Sequence, residues 1–341
     1  MIEDFSKLNL AADHYLRIAK EKDSNYFTEF INSMTLIKEK VPEKDFKVFW
    51  DDKMQLNKAK FDRKAFIQGA CEVAVAAYFS SKNDFKVEVK VNPKNKKDVD
   101  TQFKSGGFTY NIEVKCASFE AKEKIPGSDS FVFQTLGRLP NKNELIQTLS
   151  RLMDQGLANQ GKPLKPHLEQ KNMDNNLKDF LISAHEKFNS ESSEQEINIL
   201  LIGCNDTDDM QSWVGYLTAS CGLFTADSYC DPAFYNNVDL VVLTNLYYKH
   251  KDFYQKNVEG SWTLQETLNL SIVNPFSKKK NPTGILAFNN EIINYNTELN
   301  EFIVPGSAPE NIKNVFQISH FVIDCLQKKQ GKYLFGKRKQ Q

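Results

Sequence analysis

Two continuous apolar runs, at residues 197–203 and 238–243, constrain the fold of this chain more than any other feature of its sequence. Apolar runs of this length without polar alternation are typical of strands that are buried on both faces. Residues 208–219, which lie between them, open with acidic residues and predict a helix with Trp213 and Tyr216 on one side. Strand, helix and strand of these sizes predict a βαβ unit and therefore an α/β protein.

A second segment places charged residues on two neighbouring strands. It runs from Asp98 to Cys116 and has the turn signal Ser-Gly-Gly near its centre, which predicts a hairpin. Because strand side chains alternate between faces, Glu113 and Lys115 should share one face of the second strand. The hairpin should bring Asp100 beside this pair.

Two carboxylates and a lysine in this arrangement have a chemical use. Mg²⁺ prefers oxygen ligands, is held by one or two carboxylates and keeps several waters. A bound Mg²⁺ lowers the pKa of water and neutralises charge at a phosphodiester, and a neighbouring lysine stabilises the developing negative charge. These residues therefore point to hydrolysis of a phosphodiester bond.

The residues that precede the hairpin predict a helix at 63–81 and an alternating strand at 85–91. The helix carries one carboxylate, Glu72, in its apolar middle. A lone carboxylate on a helix is as often a solvent-facing residue as a ligand. Both interpretations of Glu72 stay open at this point.

Asp100, twelve intervening residues and then Glu113-Val114-Lys115 resemble the motif of the PD-(D/E)XK nuclease superfamily, which includes many restriction and repair nucleases. The resemblance implies that Asp100 and Glu113 bind the metal ion and that Lys115 is the catalytic lysine. Members commonly add a glutamate from the helix before the sheet, which here corresponds to Glu72. The backbone carbonyl of Val114 would complete the metal site.

The resemblance also implies a fold, an activity and partners. The expected fold is a restriction-endonuclease-like mixed central sheet flanked by helices, with an N-terminal helical layer and a helical insertion. The expected activity is Mg²⁺-dependent cleavage of DNA, with Mn²⁺ as a substitute metal. RNA stays open as an alternative substrate because contact with a 2′-hydroxyl leaves no motif here. A homodimer would let one site per chain cut both strands of a duplex.

The chain departs from the family motif in one position, because Val99 stands where a proline usually precedes the aspartate. Asp98 and Asp100 should point to the same face, so either could be the ligand. The spacing to Glu113 favours Asp100. A glutamine of the following helix, Gln147 or Gln155, is a further candidate contact of the site.

The domain organisation follows from these patterns. Residues 1–60 predict a helical N-terminal layer, and residues 61–260 predict the nuclease-like core. Two further helices, at 143–160 and 172–188, predict an insertion at about 140–190 within that core. Residues 261–341 form a C-terminal extension with a basic tail.

Composition excludes several other classes of protein. No apolar run approaches the ~20 residues that a membrane-spanning helix needs, and the N-terminus lacks the apolar region of a secretory signal, so we expect a cytoplasmic protein without a membrane partner. The six cysteines are scattered and form no C-x-x-C pair, which indicates reduced residues and no zinc site or disulfide framework. The five histidines are equally dispersed.

The charged residues and the aromatic residues could each contact nucleic acid or have an ordinary structural role. The formal net charge is zero, but several lysines crowd the approach to Asp100, namely Lys86, Lys90, Lys94, Lys96 and Lys97. They form either part of a positive groove or an ordinary solvated loop. The aromatic cluster Tyr247, Tyr248, Phe253 and Tyr254 could stack nucleotide bases, although core packing is the more frequent role of such residues.

Two alternatives to a nuclease remain. Glu-Val-Lys at a strand end is common on exposed sheets, so Glu113 and Lys115 could be a solvated face. The chain could also be a non-catalytic nucleic-acid-binding or interaction protein that keeps the nuclease fold. This alternative predicts that the polar groups diverge in space or that an ion pair holds Lys115 away from the metal position.

Overall fold

The computed structural model describes residues 5, 8, 10–22, 24–117, 130–135, 142–171, 173–189, 191, 193–305 and 316–336. Within these residues the chain forms eight strands, in order: β1 (Asn83–Val89), β2 (Val99–Ser105), β3 (Phe108–Cys116), β4 (Phe131–Thr135), β5 (His167–Lys171), β6 (Glu196–Gly203), β7 (Leu240–Thr244) and β8 (Asn269–Val273). The α-helices are α1 (Tyr15–Glu21), α2 (Asn25–Lys38), α3 (Glu43–Lys47), α4 (Arg63–Phe79), α5 (Lys142–Asn159), α6 (Met173–Lys187), α7 (Thr207–Thr218), α8 (Leu246–His250), α9 (Pro282–Asn289), α10 (Asn296–Glu301) and α11 (Gln317–His320). Two π-helices, Val48–Lys53 and Phe321–Lys329, and two short 3₁₀ helices, Pro232–Phe234 and Phe253–Gln255, complete the described elements.

Six of the strands form one open mixed sheet in the order β1-β2-β3-β6-β7-β8. The pairs β1/β2, β2/β3 and β7/β8 are antiparallel, and the pairs β3/β6 and β6/β7 are parallel. Helices flank this sheet, which confirms the predicted α/β class. Among the described helices, none combines the length and the apolar composition that a membrane crossing requires.

The centre of the sheet agrees with the two apolar runs of the sequence. Every residue of β7 is buried, and β6 is buried from Ile197 to Gly203. Strands that are covered on both faces need no polar alternation, which explains the continuous runs. The helix α7 connects the two parallel strands, so the predicted βαβ unit is confirmed.

The segment between β3 and β6 contains the predicted helices as α5 and α6. It also contains β4 and β5, which pair in parallel as a separate two-stranded sheet. The sequence did not predict these strands because each has only five residues and neither alternates clearly. At the other end of the core, β8 adds an antiparallel edge strand, so the sheet continues past residue 260.

The helix α4 leads the chain into the sheet. The carboxylate of Asp62 caps it by accepting a hydrogen bond from the backbone N–H of Ala65, which satisfies one of the free donors at the helix start. Nearly all its residues from Phe66 to Phe79 are buried, because α4 packs on β2 and β3 on one side and on α2 on another. This position brings its middle turn, which includes Glu72, to the sheet.

Candidate metal centre

The hairpin β2–β3 brings Asp100 and Glu113 to the same level of the sheet. Its turn is made by Gly106 and Gly107, both with positive φ, as a tight hairpin requires. The last pair in its register is Thr101 with Ile112, and one further step sets Asp100 opposite Glu113. The predicted hairpin is therefore confirmed.

Asp100 is buried and is held by the neighbouring strand. Its Oδ2 accepts a hydrogen bond of 2.7 Å from the backbone N–H of Val114, and its Oδ1 lies 3.4 Å from Nζ of Lys53. Burial alone would raise the pKa of Asp100, but Lys53, Lys187, the Val114 N–H and Lys115 together lower it below its ordinary value. Asp100 is therefore kept as a carboxylate.

Glu72 faces the sheet from α4 and is only 6% exposed, so it is not a solvent-facing residue. Its Oε1 accepts a hydrogen bond of 2.6 Å from Nε2 of Gln68, one turn earlier on the helix. Burial and the charge of Asp100 raise the pKa of Glu72, against the opposing effects of Lys53 and Gln68.

Glu88 of β1 is a third carboxylate, which the sequence analysis did not select. It lies between the register pairs Val87–Thr101 and Val89–Val99, and is therefore level with Asp100 on the next strand. Its φ of 51° is unusual for a residue other than glycine, and such backbone strain concentrates at functional sites. The sequence predicted a strand at 85–91, which includes Glu88. The pairing of that strand with β2, which sets Glu88 beside Asp100, could not be read from the sequence.

Glu72, Glu88 and Asp100 form a candidate metal centre, since one carboxylate oxygen of each lies within 4.8 Å of the other two. Oε2 of Glu72 and Oε1 of Glu88 are buried, and both face the ammonium of Lys53. Buried carboxylates need a cationic partner, and carboxylate oxygens are also the ligands that hard divalent cations prefer. The three residues could therefore hold a metal ion, with Glu88 in addition to the predicted Glu72 and Asp100.

Lys53, the last residue of the first π-helix, places its ammonium among these three carboxylates. Its Nζ contacts Oε2 of Glu72, lies 2.5 Å from Oε1 of Glu88 and lies 3.4 Å from Oδ1 of Asp100. Burial alone would lower the pKa of Lys53, but the three carboxylates hold it well above its ordinary value. Lys53 is therefore a charged ammonium at the centre of the acidic cluster.

Glu113 is fully buried and lies between two lysines. Its Oε1 is 2.6 Å from Nζ of Lys115 and 2.6 Å from Nζ of Lys187, the last residue of α6. Burial and Asp100 raise the pKa of Glu113 to about 7, although both lysines oppose the shift. The predicted pairing of Glu113 with Lys115 is present, and Lys187 is an additional residue without a sequence signal.

Gln68 connects the helix to the hairpin. Its Nε2 donates to Oε1 of Glu72 and, at 3.0 Å, to the carbonyl oxygen of Val114, while its Oε1 accepts from the backbone N–H of Cys116. The Val114 carbonyl, predicted as a metal ligand, thus accepts a hydrogen bond from an amide. A cavity of about 280 Å³ opens beside Gln68 and Cys116 and is also lined by Asp62, Lys64 and Tyr247.

Several predicted contacts lie elsewhere. Asp98 precedes β2 and is not one of the clustered carboxylates, whereas Asp100 is. Gln147 and Gln155 are both exposed on α5, so the glutamine that reaches the candidate site is Gln68, from the helix before the sheet.

The other candidate nucleic-acid contacts are also accounted for. Lys94 and Lys97 form ion pairs with Glu191 and Glu186, as expected for a solvated surface. Of the aromatic cluster, Phe253 is buried and stacks on Tyr26 at 3.8 Å between ring centroids. Tyr247 is buried as well, and Tyr248 donates a hydrogen bond to the carbonyl of Phe335. The structure therefore favours core packing for Phe253, Tyr247 and Tyr248, whereas Tyr254 is exposed.

Comparison of the chain with protein-family models, with curated proteins and with solved structures gave no match.

Proposed function

We propose that this protein is a metal-dependent nuclease that hydrolyses phosphodiester bonds in DNA, and that its fold is of the restriction-endonuclease-like type. The observation that carries the proposal is the convergence of Glu72, Glu88 and Asp100 within 4.8 Å beside the Glu113–Lys115 pair. The order of α4, β1, β2 and β3, followed by the parallel strand β6, also supports it.

The local chemistry of the carboxylates supports a functional role. Like charges opposite one another on neighbouring strands destabilise a sheet, yet Glu88, Asp100 and Glu113 stand level across β1, β2 and β3. Sequences that break such a rule commonly do so at functional sites. Glu72 adds a fourth carboxylate to the same region from the helix.

Each residue then has a distinct part in the reaction. Asp100, Glu72 and Glu88 would hold Mg²⁺ or Mn²⁺, and Glu113 stays a predicted ligand whose carboxylate is shared with Lys115 and Lys187. A bound metal ion would lower the pKa of the attacking water and would neutralise charge on the phosphate. Lys115, whose pKa is raised by Glu113 against the effect of burial, donates hydrogen bonds to the nucleophile and to the phosphate oxygens.

A second candidate is a nucleic-acid-binding protein that keeps the fold without catalysis. Lys53 among the acids and the 2.6 Å ion pair of Lys115 with Glu113 favour this candidate, because both lysines are engaged with carboxylates. Both candidates bind nucleic acid, and only the first hydrolyses it.

Cleavage of supercoiled plasmid DNA tests the proposal. We expect nicked or linear products in the presence of Mg²⁺ or Mn²⁺ and none with EDTA, with Asp100→Asn inactive. Asp52→Asn, which alters an exposed carboxylate paired with Lys58, serves as the matched control and should keep activity. Activity that survives EDTA contradicts the metal mechanism, and DNA binding without any cleavage supports the second candidate. Parallel cleavage assays with single-stranded and duplex RNA decide whether the substrate is DNA or RNA. The oligomeric state of the protein bound to DNA tests the homodimer expected from the sequence.

A further inference from the structure

The ammonium of Lys53 occupies the position that suits a cation in the candidate metal centre. It contacts one oxygen of each of the three clustered carboxylates. The Lys53 side chain is 15% exposed, so the charge is largely shielded from water. A divalent cation and this ammonium cannot bind the same oxygens at the same time, because they would overlap and because their positive charges repel.

The charges of the cluster favour such an exchange. Together with Glu113, the clustered carboxylates number four and face three ammoniums, those of Lys53, Lys115 and Lys187, which leaves an excess of one negative charge. A divalent ion in place of the ammonium reduces this excess. The cluster is therefore only partly neutralised in the resting protein.

The fold delivers Lys53 to the cluster by a specific close approach. Gly69 of α4 lies against the backbone of Lys53, and a Cβ at position 69 would overlap the Lys53 carbonyl. The residues that flank this lysine are anchored as well, since Phe49 and Met54 are fully buried. The backbone is thus fixed, while the flexible four-carbon side chain can turn away without moving it.

We propose that Lys53 is a resident cation of this site and that entry of a divalent metal ion displaces its ammonium from Glu72, Glu88 and Asp100. The inference rests on the metal-binding part of the proposed function. The exchange has two consequences: Lys53 stabilises the carboxylates while no metal is bound, and it lowers the apparent affinity for the metal, so that the site fills only above a threshold concentration.

Calorimetric titration with Mn²⁺ in the absence of DNA tests the exchange. Lys53→Met keeps an unbranched, flexible side chain that is one atom shorter and removes the charge. The matched control is Lys58→Met, an exposed lysine of the following loop that pairs with Asp52. We expect Lys53→Met to bind Mn²⁺ at least about tenfold more tightly than the wild type, because a site that is closed part of the time loses apparent affinity in proportion. Lys58→Met should bind like the wild type.

A measurement on the wild type covers the case in which Lys53→Met does not fold. An amine-acylating reagent is applied with and without saturating Mn²⁺, and the labelled lysines are identified by mass spectrometry. The exchange predicts that Mn²⁺ increases the labelling of Lys53 and leaves that of the exposed Lys58 unchanged.

The outcomes separate this inference from the proposed function. Mn²⁺ binding of equal affinity in the wild type and Lys53→Met, or Lys53 labelling that saturating Mn²⁺ does not change, overturns the exchange and leaves the metal site intact. Absence of Mn²⁺ binding in both proteins overturns the metal site, and with it the exchange.

Discussion

Lys187 holds both carboxylate oxygens of Glu113, with Nζ at 2.6 Å from Oε1 and at 2.7 Å from Oε2. The two residues are 74 positions apart in the chain, and α6 carries the lysine to the sheet. The protonation of Glu113 is therefore set partly by the segment between β3 and β6.

Replacing Lys187 should shift the pH dependence of cleavage. The pKa of Glu113 is about 7, and Lys187 is one of the groups that lower it. Lys187→Met removes this effect, so the pKa should rise and the acidic limb of the pH–rate profile should move to higher pH. Lys178→Met, on the same helix but paired with Asp179, should leave the limb in place. If the acidic limb of the pH–rate profile does not move in Lys187→Met, cleavage does not depend on ionised Glu113.

Lys115→Ala should lower turnover by about 10²–10³-fold and leave DNA binding nearly intact. The ammonium acts on charge that develops during the reaction, and loss of one such donor lowers the rate by about 10²–10³-fold. The rate is measured in single-turnover plasmid nicking, with affinity from a separate binding titration. Lys104→Ala, an exposed lysine of β2 paired with Asp84, is the control. A normal rate in Lys115→Ala would return this residue to the solvated-face interpretation.

Asp100→Asn and Asp98→Asn should differ in metal binding. The asparagine at position 100 can still accept the hydrogen bond from the Val114 N–H, so the change removes charge with little change in shape. We expect Asp100→Asn to lose Mg²⁺ binding and cleavage, while Asp98→Asn keeps most of both. Calorimetric titration of the two variants decides the matter, and the reverse pattern would transfer the role to Asp98.

Glu72→Gln should stabilise the metal-free protein in a pH-dependent manner. Because burial raises the pKa of Glu72 above its ordinary 4.5, the folded state binds a proton that the unfolded state releases. The contribution of Glu72 to stability therefore falls as the pH rises above about 4.5, and Gln should raise the melting temperature most near neutral pH. Melting curves at acidic and neutral pH in EDTA measure the effect. A gain of equal size at both pH values would show that ionisation of Glu72 is not its cause.

Gln68→Ala should weaken both the fold and the site. It leaves the backbone N–H of Cys116 without its acceptor and removes the donor to Glu72, and an unsatisfied buried group costs about 1–3 kcal/mol. Denaturant unfolding measures the loss of stability, and Mn²⁺ titration measures the loss of affinity for a misplaced Glu72. Gln160→Ala, at an exposed position after α5, should change neither. Full stability and full affinity in Gln68→Ala would remove its positioning role.

The sheet and much of the candidate site could be predicted because the relevant signals are local. The apolar runs of β6 and β7 identify buried strands, and the Gly-Gly turn fixes the register of β2 and β3. That register alone sets Asp100 level with Glu113. Glu72 could be proposed because it is a charge in an otherwise apolar helix.

The other residues of the site could not be predicted because they depend on tertiary packing. Lys53 reaches the acids through the close approach of its backbone to Gly69, and no local pattern encodes this contact. Lys187 belongs to a helix that is distant in sequence from Glu113. Glu88 required the pairing of β1 with β2, in which the register shifts between Asn83 and Lys86.

The parallel pairing of β3 with β6 leaves residues 117–195 as a crossover between adjacent strands. The entropy of closing a flexible loop grows only with the logarithm of its length, and each doubling costs about 0.6 kcal/mol. Descendants of this chain can therefore lengthen, shorten or replace most of the crossover without disturbing the sheet. The helix α6 is the exception, because Leu177, Leu181 and Ala184 are fully buried in the core and Lys187 must still arrive at Glu113. Divergence within the crossover should consequently be wide at α5 and the β4–β5 pair and narrow along α6.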